Sequence, residues 1–339
     1  MKKKLKVLVL FDGTRPTTID QDFTEELKTK EWKTEADVMN ALGELGHIAE
    51  HLAIYDDVDL LRQKLETFAP DVLFNLVEQF KNKPEFDQNI VSFFEMQGLP
   101  FTGCGSTGLT LCKHKGISKK ILHYHGIHVP NFVLIPRGQR SARLKQPGFP
   151  LVVKPVKEEA SYGISQASFV QNEEQFRERV AFIHEKYNSD AIAEEYIDGR
   201  ELYVSLMGNT RLSVFPIREL VFRELPANEP KIATYKAKWD EEYRKRRGLE
   251  NQFAEDLEPS LVTEIQEKCK EIYRLLTIDG YARIDLRLTA DNKMYFIEAN
   301  PNPILANDED FALSAAKAGL PYPHLIERIV RQGMAAVRD

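Results

Sequence analysis

The sequence has few cysteines and lacks any hydrophobic run long enough to cross a membrane. Its three cysteines, Cys104, Cys112 and Cys269, leave one unpaired in any disulfide scheme and show no metal-binding spacing. We expect them to be small buried residues. No window approaches the roughly 18 to 20 consecutive apolar residues that a transmembrane helix needs. We therefore predict a cytoplasmic protein with no membrane partner.

Basic residues are also fewer than acidic residues. The chain has 46 Lys and Arg residues against 52 Asp and Glu residues, a net charge of −6 with no basic or acidic tail. A protein that binds duplex nucleic acid needs the opposite sign, so we exclude nucleic acid as a partner. The turn after the first predicted strand, Asp12-Gly13-Thr14, lacks the Gly-x-Gly-x-x-Gly pattern, which argues against a nicotinamide dehydrogenase.

Length and apolar patterning predict how the chain is organised. A chain of 339 residues with 42% apolar residues indicates two or three domains, since domains commonly have roughly 100 to 150 residues. The apolar run 5–11 predicts a buried parallel strand, and strands then alternate with helices up to about residue 110. The predicted domains are residues 1–113, 114–195 and 196–339.

Two predicted strands near the C-terminus carry the oxygen ligands of a candidate metal site. In the first strand, Arg283 and Asp285 alternate with apolar residues and so lie on one face. In the second strand, Glu298 and Asn300 likewise share a face. A turn at 289–292 joins the strands into a hairpin, which brings two carboxylates and an amide together as the outline of a Mg²⁺ site. The alternative is an amphipathic hairpin with a solvated polar face.

A second set of residues suits a nucleoside triphosphate. Lys154 lies inside the apolar strand 151–156, where an unpaired ammonium is costly to bury, so it needs an anionic partner. The following loop, 157–163, has small residues whose amides, with the Ser161 hydroxyl, suit phosphate oxygens. Taken alone, this loop is weak evidence for phosphate binding, because it lacks a Walker lysine and contains two glutamates. The strand 191–197 offers backbone groups for an adenine edge, or is an edge strand followed by a type I turn.

Taken in order, these motifs resemble the D-alanyl-D-alanine ligase branch of the ATP-grasp superfamily. The quoted motifs are Phe149-Pro-Leu-Val-Val-Lys-Pro155, Glu194-Glu-Tyr-Ile-Asp-Gly-Arg-Glu201, Ala282-Arg-Ile-Asp285 and Phe296-Ile-Glu-Ala-Asn300, with shorter ones at 100–103, 115–119, 237–238 and 315–322. The resemblance implies an α/β protein with an N-terminal open α/β domain, a small central lid domain and a C-terminal ATP-grasp catalytic domain.

The resemblance also implies roles for single residues. The residues expected to bind ATP are Lys115 and Lys154 on the phosphates, Glu194, Glu195, Tyr196 and Ile197 along the adenine, Glu201 on the ribose, and Lys238 on the γ-phosphate from a mobile loop. Those expected to carry Mg²⁺, or Mn²⁺ in its place, are Asp285, Glu298 and Asn300. Arg283 resembles the residue that stabilises the acyl-phosphate and the tetrahedral intermediate. The predicted catalytic residues are therefore Arg283, Lys238 and Ser161.

The substrate side departs from the family pattern. The phosphate loop has Ala160 where the dipeptide ligases have a first serine, Trp239 replaces a tyrosine, and Ile304 stands in a turn where the family has glycine. The N-terminal Gly-Gly-x-Ser-x-Glu pattern is replaced by Phe11-Asp-Gly-Thr-Arg-Pro16. Four nearby acids either take over substrate binding or cap and solvate a helix start; they are Asp20, Asp22, Glu25 and Glu26.

Together these features predict an ATP-dependent ligase that joins a small-molecule carboxylate to an amine through an acyl-phosphate. Phosphorylation gives the carboxylate a leaving group, and the oxyanion that then forms needs preorganised positive charge. The departures predict an amino acid or peptide substrate other than two D-alanines. Two alternatives stay open, a genuine D-alanine–D-alanine ligase and a regulatory protein that binds ATP without ligation. A homodimer is compatible with the sequence.

Overall fold

The computed structural model describes residues 3–138, 147–158, 161–226 and 229–336, which form three β-sheets with helices packed against them. The strands are β1 Lys6–Asp12, β2 Ile48–Ile54, β3 Val72–Asn75, β4 Phe132–Ile135, β5 Leu151–Pro155, β6 Phe169–Val170, β7 Ala191–Glu195, β8 Arg200–Met207, β9 Ser213–Val214, β10 Arg218–Phe222, β11 Leu249–Phe253, β12 Tyr281–Leu288 and β13 Met294–Pro301. The helices are α1 Lys33–Glu44, α2 Val58–Phe68, α3 Asp87–Met96, α4 Ser106–Lys113, α5 Lys115–Tyr124, α6 Glu173–Lys186, α7 Tyr235–Trp239, α8 Glu241–Arg246, α9 Pro259–Leu275, α10 Asp310–Lys317 and α11 Tyr322–Ala335.

The first sheet is parallel and is built from the N-terminal part of the chain. β1 is its central strand and pairs with β2 on one side and β3 on the other. Residues 7–11 of β1 are all buried, which explains why the sequence is apolar on both faces of this strand. The strand ends at Asp12, so this carboxylate stands at the carboxyl edge of the sheet, the edge at which open α/β sheets bind ligands.

The second sheet is antiparallel and has a hydrophobic core of its own. Its strand order is β4-β7-β5-β6, and Phe176, Val180 and Ile183 of α6 pack in that core. The helix begins after Asn172, whose side chain accepts a hydrogen bond from the backbone N–H of Gln175. The inner strands β5 and β7 carry three of the residues predicted to bind ATP, Lys154, Glu194 and Glu195.

The third sheet has the order β11-β10-β8-β12-β13, with β9 beside β8. Its last two strands form the hairpin predicted from the alternation of polar and apolar residues. In the connecting turn, the backbone N–H of Asn292 donates to the carbonyl of Thr289 at 3.0 Å. Asn292 has a φ of 60°, a left-handed conformation that asparagine tolerates better than most residues.

A shared hydrophobic core joins the first sheet to the third. Leu8 and Leu10 of β1 belong to the same buried cluster as Ile284 of β12. In a second cluster, Val38 of α1 packs with Ile329 of α11, so the last helix returns to the N-terminal layer. Packing of this kind places the carboxyl edge of β1 close to one end of the β12–β13 hairpin.

The three cysteines are free and buried, as predicted from their number and spacing. Among the described residues, no helix is both long enough and apolar enough to cross a membrane.

Candidate active site

The polar face of the β12–β13 hairpin brings the predicted metal ligands into register. Asp285 lies directly opposite Glu298, and Arg283 lies opposite Asn300. The intervening residues of β12 point into the hydrophobic core, as their two-residue period requires. A register shift follows Asp285 and leaves both polar pairs in step. Two carboxylates, an amide and a guanidinium therefore share one small area of the sheet.

Arg283 is held in a fixed orientation. Its Nε and Nη2 donate to the two carboxylate oxygens of Asp285 at 2.7 and 2.9 Å. The guanidinium carbon lies 4.7 Å from the ring centre of Tyr203, a cation–π distance. Burial raises the pKa of Asp285, although the positive charge of Arg283 acts in the opposite direction. These contacts hold the guanidinium in one orientation, so little side-chain entropy is lost when it binds a further group.

Glu298 is strongly stabilised in its charged form. Its Oε2 lies 3.7 Å from the Nζ of Lys115 at the start of α5. Burial opposes ionisation, but Lys115, Lys238, Lys154 and Arg283 outweigh it and lower the pKa of Glu298 to about 2. Lys154 and Arg283 are also paired with Glu194 and Asp285, so four cations meet three carboxylates here, and the excess of positive charge suits a polyanion.

The donor set at the hairpin fits Mg²⁺. Asp285, Glu298 and Asn300 offer hard oxygen ligands, and Mg²⁺ takes few such ligands when substrate phosphates and water complete its shell. The Asn300 Nδ2 atom is buried without a hydrogen-bond partner, so this amide is free to turn its oxygen to a cation. Among the described residues no three His, Cys, Asp or Glu side chains are placed so that they alone could hold a metal ion, so a closed all-protein cage is not formed.

Lys154 meets its anionic partner on the neighbouring strand. In the register of β5 and β7, Val152 faces Glu194 and Lys154 faces Ile192, which makes Lys154 and Glu194 diagonal neighbours on one face. The Nζ of Lys154 lies 3.0 Å from Glu194 Oε2. Burial disfavours the ammonium, but Glu194 and Glu298 outweigh it and raise the pKa of Lys154.

Lys119 is a site residue that the sequence reasoning passed over. It is fully buried, donates to the carbonyl of Ile297, and lies 3.3 Å from Glu194 Oε1. Burial lowers its pKa to about 8, because Glu194 is shared with Lys154 and compensates only in part. Its position four residues after Lys115 puts both lysines on one face of α5, and this spacing was the available signal.

The residues predicted to bind the adenine and the ribose have side chains with different surroundings. Glu201 is buried and accepts hydrogen bonds from Arg287 at 2.7 Å and from the Tyr203 hydroxyl at 3.0 Å. The Glu195 carboxylate instead accepts a hydrogen bond from the Asn131 side chain. Ile197 is buried, and the Tyr196 hydroxyl accepts a hydrogen bond from the backbone N–H of Lys231. The Glu195 side chain therefore contacts the residue just before β4, whereas Glu201 is bonded to Arg287 of the hairpin.

Ser161 and Lys238 lie on two segments that touch each other. The Ser161 hydroxyl donates to the carbonyl of Ala233 at 2.9 Å, so it ties the phosphate loop to the lysine segment. Lys238 was predicted on a mobile loop, but it lies in α7, a short helix capped by the Thr234 side chain. The cap explains the difference, since it satisfies the backbone N–H of Ala237 at the helix start. The positive charge of Lys238 lowers the pKa of Glu298, so Lys238 interacts electrostatically with the hairpin.

A cavity of about 230 Å³ adjoins the hairpin on the substrate side. Ile304, one of the departures from the family pattern, lines this cavity, and Trp239 is 44% exposed. The four acids considered as substrate ligands do not line it. Asp20 pairs with Lys64 at 2.8 Å, Asp22 accepts hydrogen bonds from Thr24, and Glu25 pairs with Lys28. Ala160 lies outside the described residues.

Comparison with known proteins adds sequence relatives. The family model described as "D-ala D-ala ligase C-terminus" matches residues 112–331. The uncharacterized protein y4sG of Sinorhizobium fredii is 33% identical over 301 residues, which cover 86% of this chain and 85% of that protein. The D-alanine–D-alanine ligase of Desulforudis audaxviator is 30% identical over 252 residues, which cover 72% of this chain and 76% of that enzyme.

Solved structures show the same fold over nearly the whole chain. The D-alanine–D-alanine ligase of Bacillus anthracis complexed with ATP has a TM-score of 0.75 at 20% identity and covers 98% of each chain. The VanG D-Ala:D-Ser ligase of Enterococcus faecalis has a TM-score of 0.71 at 18% identity, covering 98% of this chain and all of that one. The predicted mixed α/β ATP-grasp architecture is confirmed. The chain belongs to the D-alanine–D-alanine ligase family of ATP-grasp proteins.

Proposed function

We propose that this chain is an ATP-dependent ligase that joins a carboxylate to an amine through an acyl-phosphate, with an amino acid or a peptide rather than two D-alanines as substrate. The observation that carries the proposal is the polar face of the hairpin, where Asp285 faces Glu298 and Arg283 faces Asn300. This face combines oxygen ligands for a cation with a fixed guanidinium, and surplus positive charge surrounds it.

In the first step, a carboxylate oxygen of the substrate attacks the γ-phosphorus of ATP. The new O–P bond forms as the bond to the β-phosphate oxygen breaks, and ADP leaves. Lys115, Lys154 and Lys238 would hold the phosphates, since charge is spread over their oxygens in the transition state. Asp285, Glu298 and Asn300 would hold Mg²⁺, which neutralises phosphate charge when bound.

In the second step, an amine attacks the acyl carbon and phosphate leaves. The C–N bond forms, the amine loses a proton, and the carbonyl oxygen carries negative charge in the tetrahedral intermediate. Arg283 would stabilise that oxygen, because its guanidinium is already oriented by Asp285 and Tyr203. Water must be kept from the acyl-phosphate, and the hydrogen bond from Ser161 to Ala233 would help by holding the phosphate loop against the segment that carries Lys238.

The substrate side supports a product other than D-alanyl-D-alanine. Ile304 lines the cavity beside the hairpin where the family turn has glycine, so a branched side chain occupies space that a glycine would leave open. Asp12 and Glu35 also line this cavity, so it is acidic. The chain also has Ala160 where the family has a serine. Loss of a hydrogen-bond donor from a buried polar site can change the discrimination between substrates by about 10⁴-fold, enough to redirect specificity.

A second candidate function is a genuine D-alanine–D-alanine ligase. It is favoured by the relatives of that name, among them the enzyme of Desulforudis audaxviator. A third reading, a regulatory protein that binds ATP without ligation, is less favoured because the metal ligands and Arg283 are all present on one face.

A product assay separates the three functions. The protein is incubated with ATP, Mg²⁺ and a panel of amino acids and short peptides that includes D-alanine, and phosphate release and product mass are measured. We expect phosphate release and a new amide product with another carboxylate and amine, and negligible release with D-alanine. D-alanyl-D-alanine formed at about 1 to 10³ per second would establish the second function instead.

Two variants serve as controls for that assay. Glu298→Gln removes one ligand charge and should abolish phosphate release. Glu250→Gln removes only an exposed ion pair with Arg223 and should leave the rate unchanged. ATP binding without any product across the whole panel would contradict ligation and support the regulatory function.

A further inference from the structure

The cavity beside the hairpin is lined by carboxylates that the mechanism above does not use. Asp12 ends β1, Glu31 lies two residues before α1, Glu35 lies in the first turn of α1, and Glu78 follows β3. None of the described residues that line this cavity is a lysine, arginine or histidine. Four acids and no lining base favour a ligand that is positively charged.

The cavity lies one step further along the hairpin than the reaction centre. The backbone N–H of Asn302 donates to the carbonyl of Tyr281 at 3.1 Å, so these two residues continue the register beyond Ala282 and Pro301, two positions from Arg283 and Asn300. Both Tyr281 and Asn302 line the cavity. Two residues of strand advance by about 7 Å. The backbone of Tyr281 is therefore displaced from that of Arg283 along the strand by roughly the length of a long aliphatic side chain.

Tyr281 gives an independent indication of a ligand. The residue is 1% exposed and lines the cavity, and its hydroxyl makes no hydrogen bond to any residue in the described part of the chain. Buried hydroxyl groups in proteins nearly always have a partner. Burial and the negative charge of Glu78 raise the pKa of Tyr281, so this hydroxyl stays protonated and available to a ligand.

Burial disfavours ionisation of two of the cavity acids. Burial, reinforced by Glu78, raises the pKa of Asp12 to about 8, even though the backbone N–H groups of Glu78 and Gln79 donate to its carboxylate. Burial also raises the pKa of Glu35. A positive group among them would favour the ionised forms, and its binding would release the proton that Asp12 holds near neutral pH.

We propose that this cavity binds a side-chain ammonium of the substrate, and that the preferred substrate is a diamino acid, free or within a peptide. The proposal rests on the proposed ligase function and names its substrate class. The α-amino end of an amino acid brings its own carboxylate, which the four acids repel, whereas a side-chain ammonium brings only positive charge. The second amine distinguishes this substrate from D-alanine. Its reacting end then lies toward Arg283.

Calorimetry tests the proposal with matched ligands. The protein is loaded with Mg²⁺ and a non-hydrolysable ATP analogue and titrated with lysine and ornithine and with their neutral counterparts norleucine and norvaline, each as both enantiomers. We expect a diamino acid to bind at least tenfold more tightly than its neutral counterpart. Asp12→Asn should remove most of that preference, since losing a charge-assisted hydrogen bond costs about tenfold or more in affinity, and should leave binding of the neutral ligands unchanged.

Control variants keep the test decisive. Glu66→Gln removes an exposed acid from α2 outside the cavity and should keep the preference. Where Asp12→Asn fails to fold, as judged by thermal unfolding, Glu35→Gln takes its place, with a smaller loss expected. Equal binding of charged and neutral ligands, or a preference that both cavity variants retain, would overturn the proposal. A diamino acid preference lost in Asp12→Asn, with no amide product from any substrate, would instead refute the ligase function and keep the cavity assignment.

Discussion

Replacing Glu194 by glutamine tests how far the buried lysines of the nucleotide site depend on one carboxylate. The Nζ of Lys154 lies 3.0 Å from one oxygen of Glu194, and the Nζ of Lys119 lies 3.3 Å from the other. None of the three side chains is more than 5% exposed. Glu194→Gln keeps the size of the side chain but removes the negative charge that both ammonium groups share.

The expected effect is large because the charges are enclosed. Removing one partner of a buried ion pair costs about 3 to 5 kcal/mol, since the other charge remains buried without compensation. Here two like charges remain beside each other, so we expect a loss in the upper part of that range. The whole free energy of unfolding of a domain is commonly about 5 to 15 kcal/mol. ATP brings negative charge to Lys154, so bound nucleotide should recover part of the loss.

Chemical denaturation followed by circular dichroism, with and without ATP and Mg²⁺, measures both effects. Glu250→Gln is the matched control, because it removes an exposed pair with Arg223 and should cost less than about 1 kcal/mol. A loss in Glu194→Gln no larger than in this control would refute the dependence of the lysines on Glu194. A full loss that ATP does not reduce would show that Lys154 does not meet the phosphates.

Three further predictions concern the same region. Glu298→Gln should abolish phosphate release with an unchanged circular dichroism spectrum; full activity in this variant would show that the hairpin is only structural. Lys154→Ala and Lys238→Ala should each weaken ATP binding by about 1.5 to 3 kcal/mol in calorimetry, and an unchanged affinity in folded protein would contradict the assignment. Lys119 has a pKa of about 8 in the fold against 10.5 ordinarily, so between these pH values the unfolded chain binds more protons than the folded one. The free energy of unfolding should therefore rise from pH 8 to 10.5. Lys119→Met should flatten this rise, as measured by denaturation curves at each pH.

The hairpin was predictable because the pattern that identifies it lies within two short neighbouring segments of the sequence. Arg283 and Asp285 alternate with apolar residues, and a two-residue period assigns both side chains to one face whatever lies around them. Glu298 and Asn300 follow the same rule on the next strand, and a short turn joins the two strands. The sequence therefore predicted which side chains meet across this hairpin, and the register of the structure agrees with it.

The partners of the buried charges were not predictable in the same way. Lys154 needed an anion, but the identity of that anion depends on the pairing of β5 with β7, which are separated by α6. Lys119 follows Lys115 by one helical turn, a local signal, yet only the packing of α5 shows that both are buried. The carboxylate cavity depends on packing alone, since Asp12 and Glu78 are 66 residues apart and meet only when β1 and β3 pair.

Arg283→Lys separates a role on the reacting atoms from a merely structural one. Lysine keeps the positive charge but cannot make the two parallel hydrogen bonds to Asp285 or the stacked contact with Tyr203. If Arg283 stabilises the oxyanion, kcat should fall by about 100- to 1,000-fold, the usual effect of losing one such donor, while the KM for ATP and the Mg²⁺ dependence stay the same. Arg223→Lys, at an exposed ion pair, should change neither. A parallel rise in the Mg²⁺ requirement would show instead that Arg283 acts by positioning Asp285, because a metal ligand that has lost its orienting partner binds its cation less well.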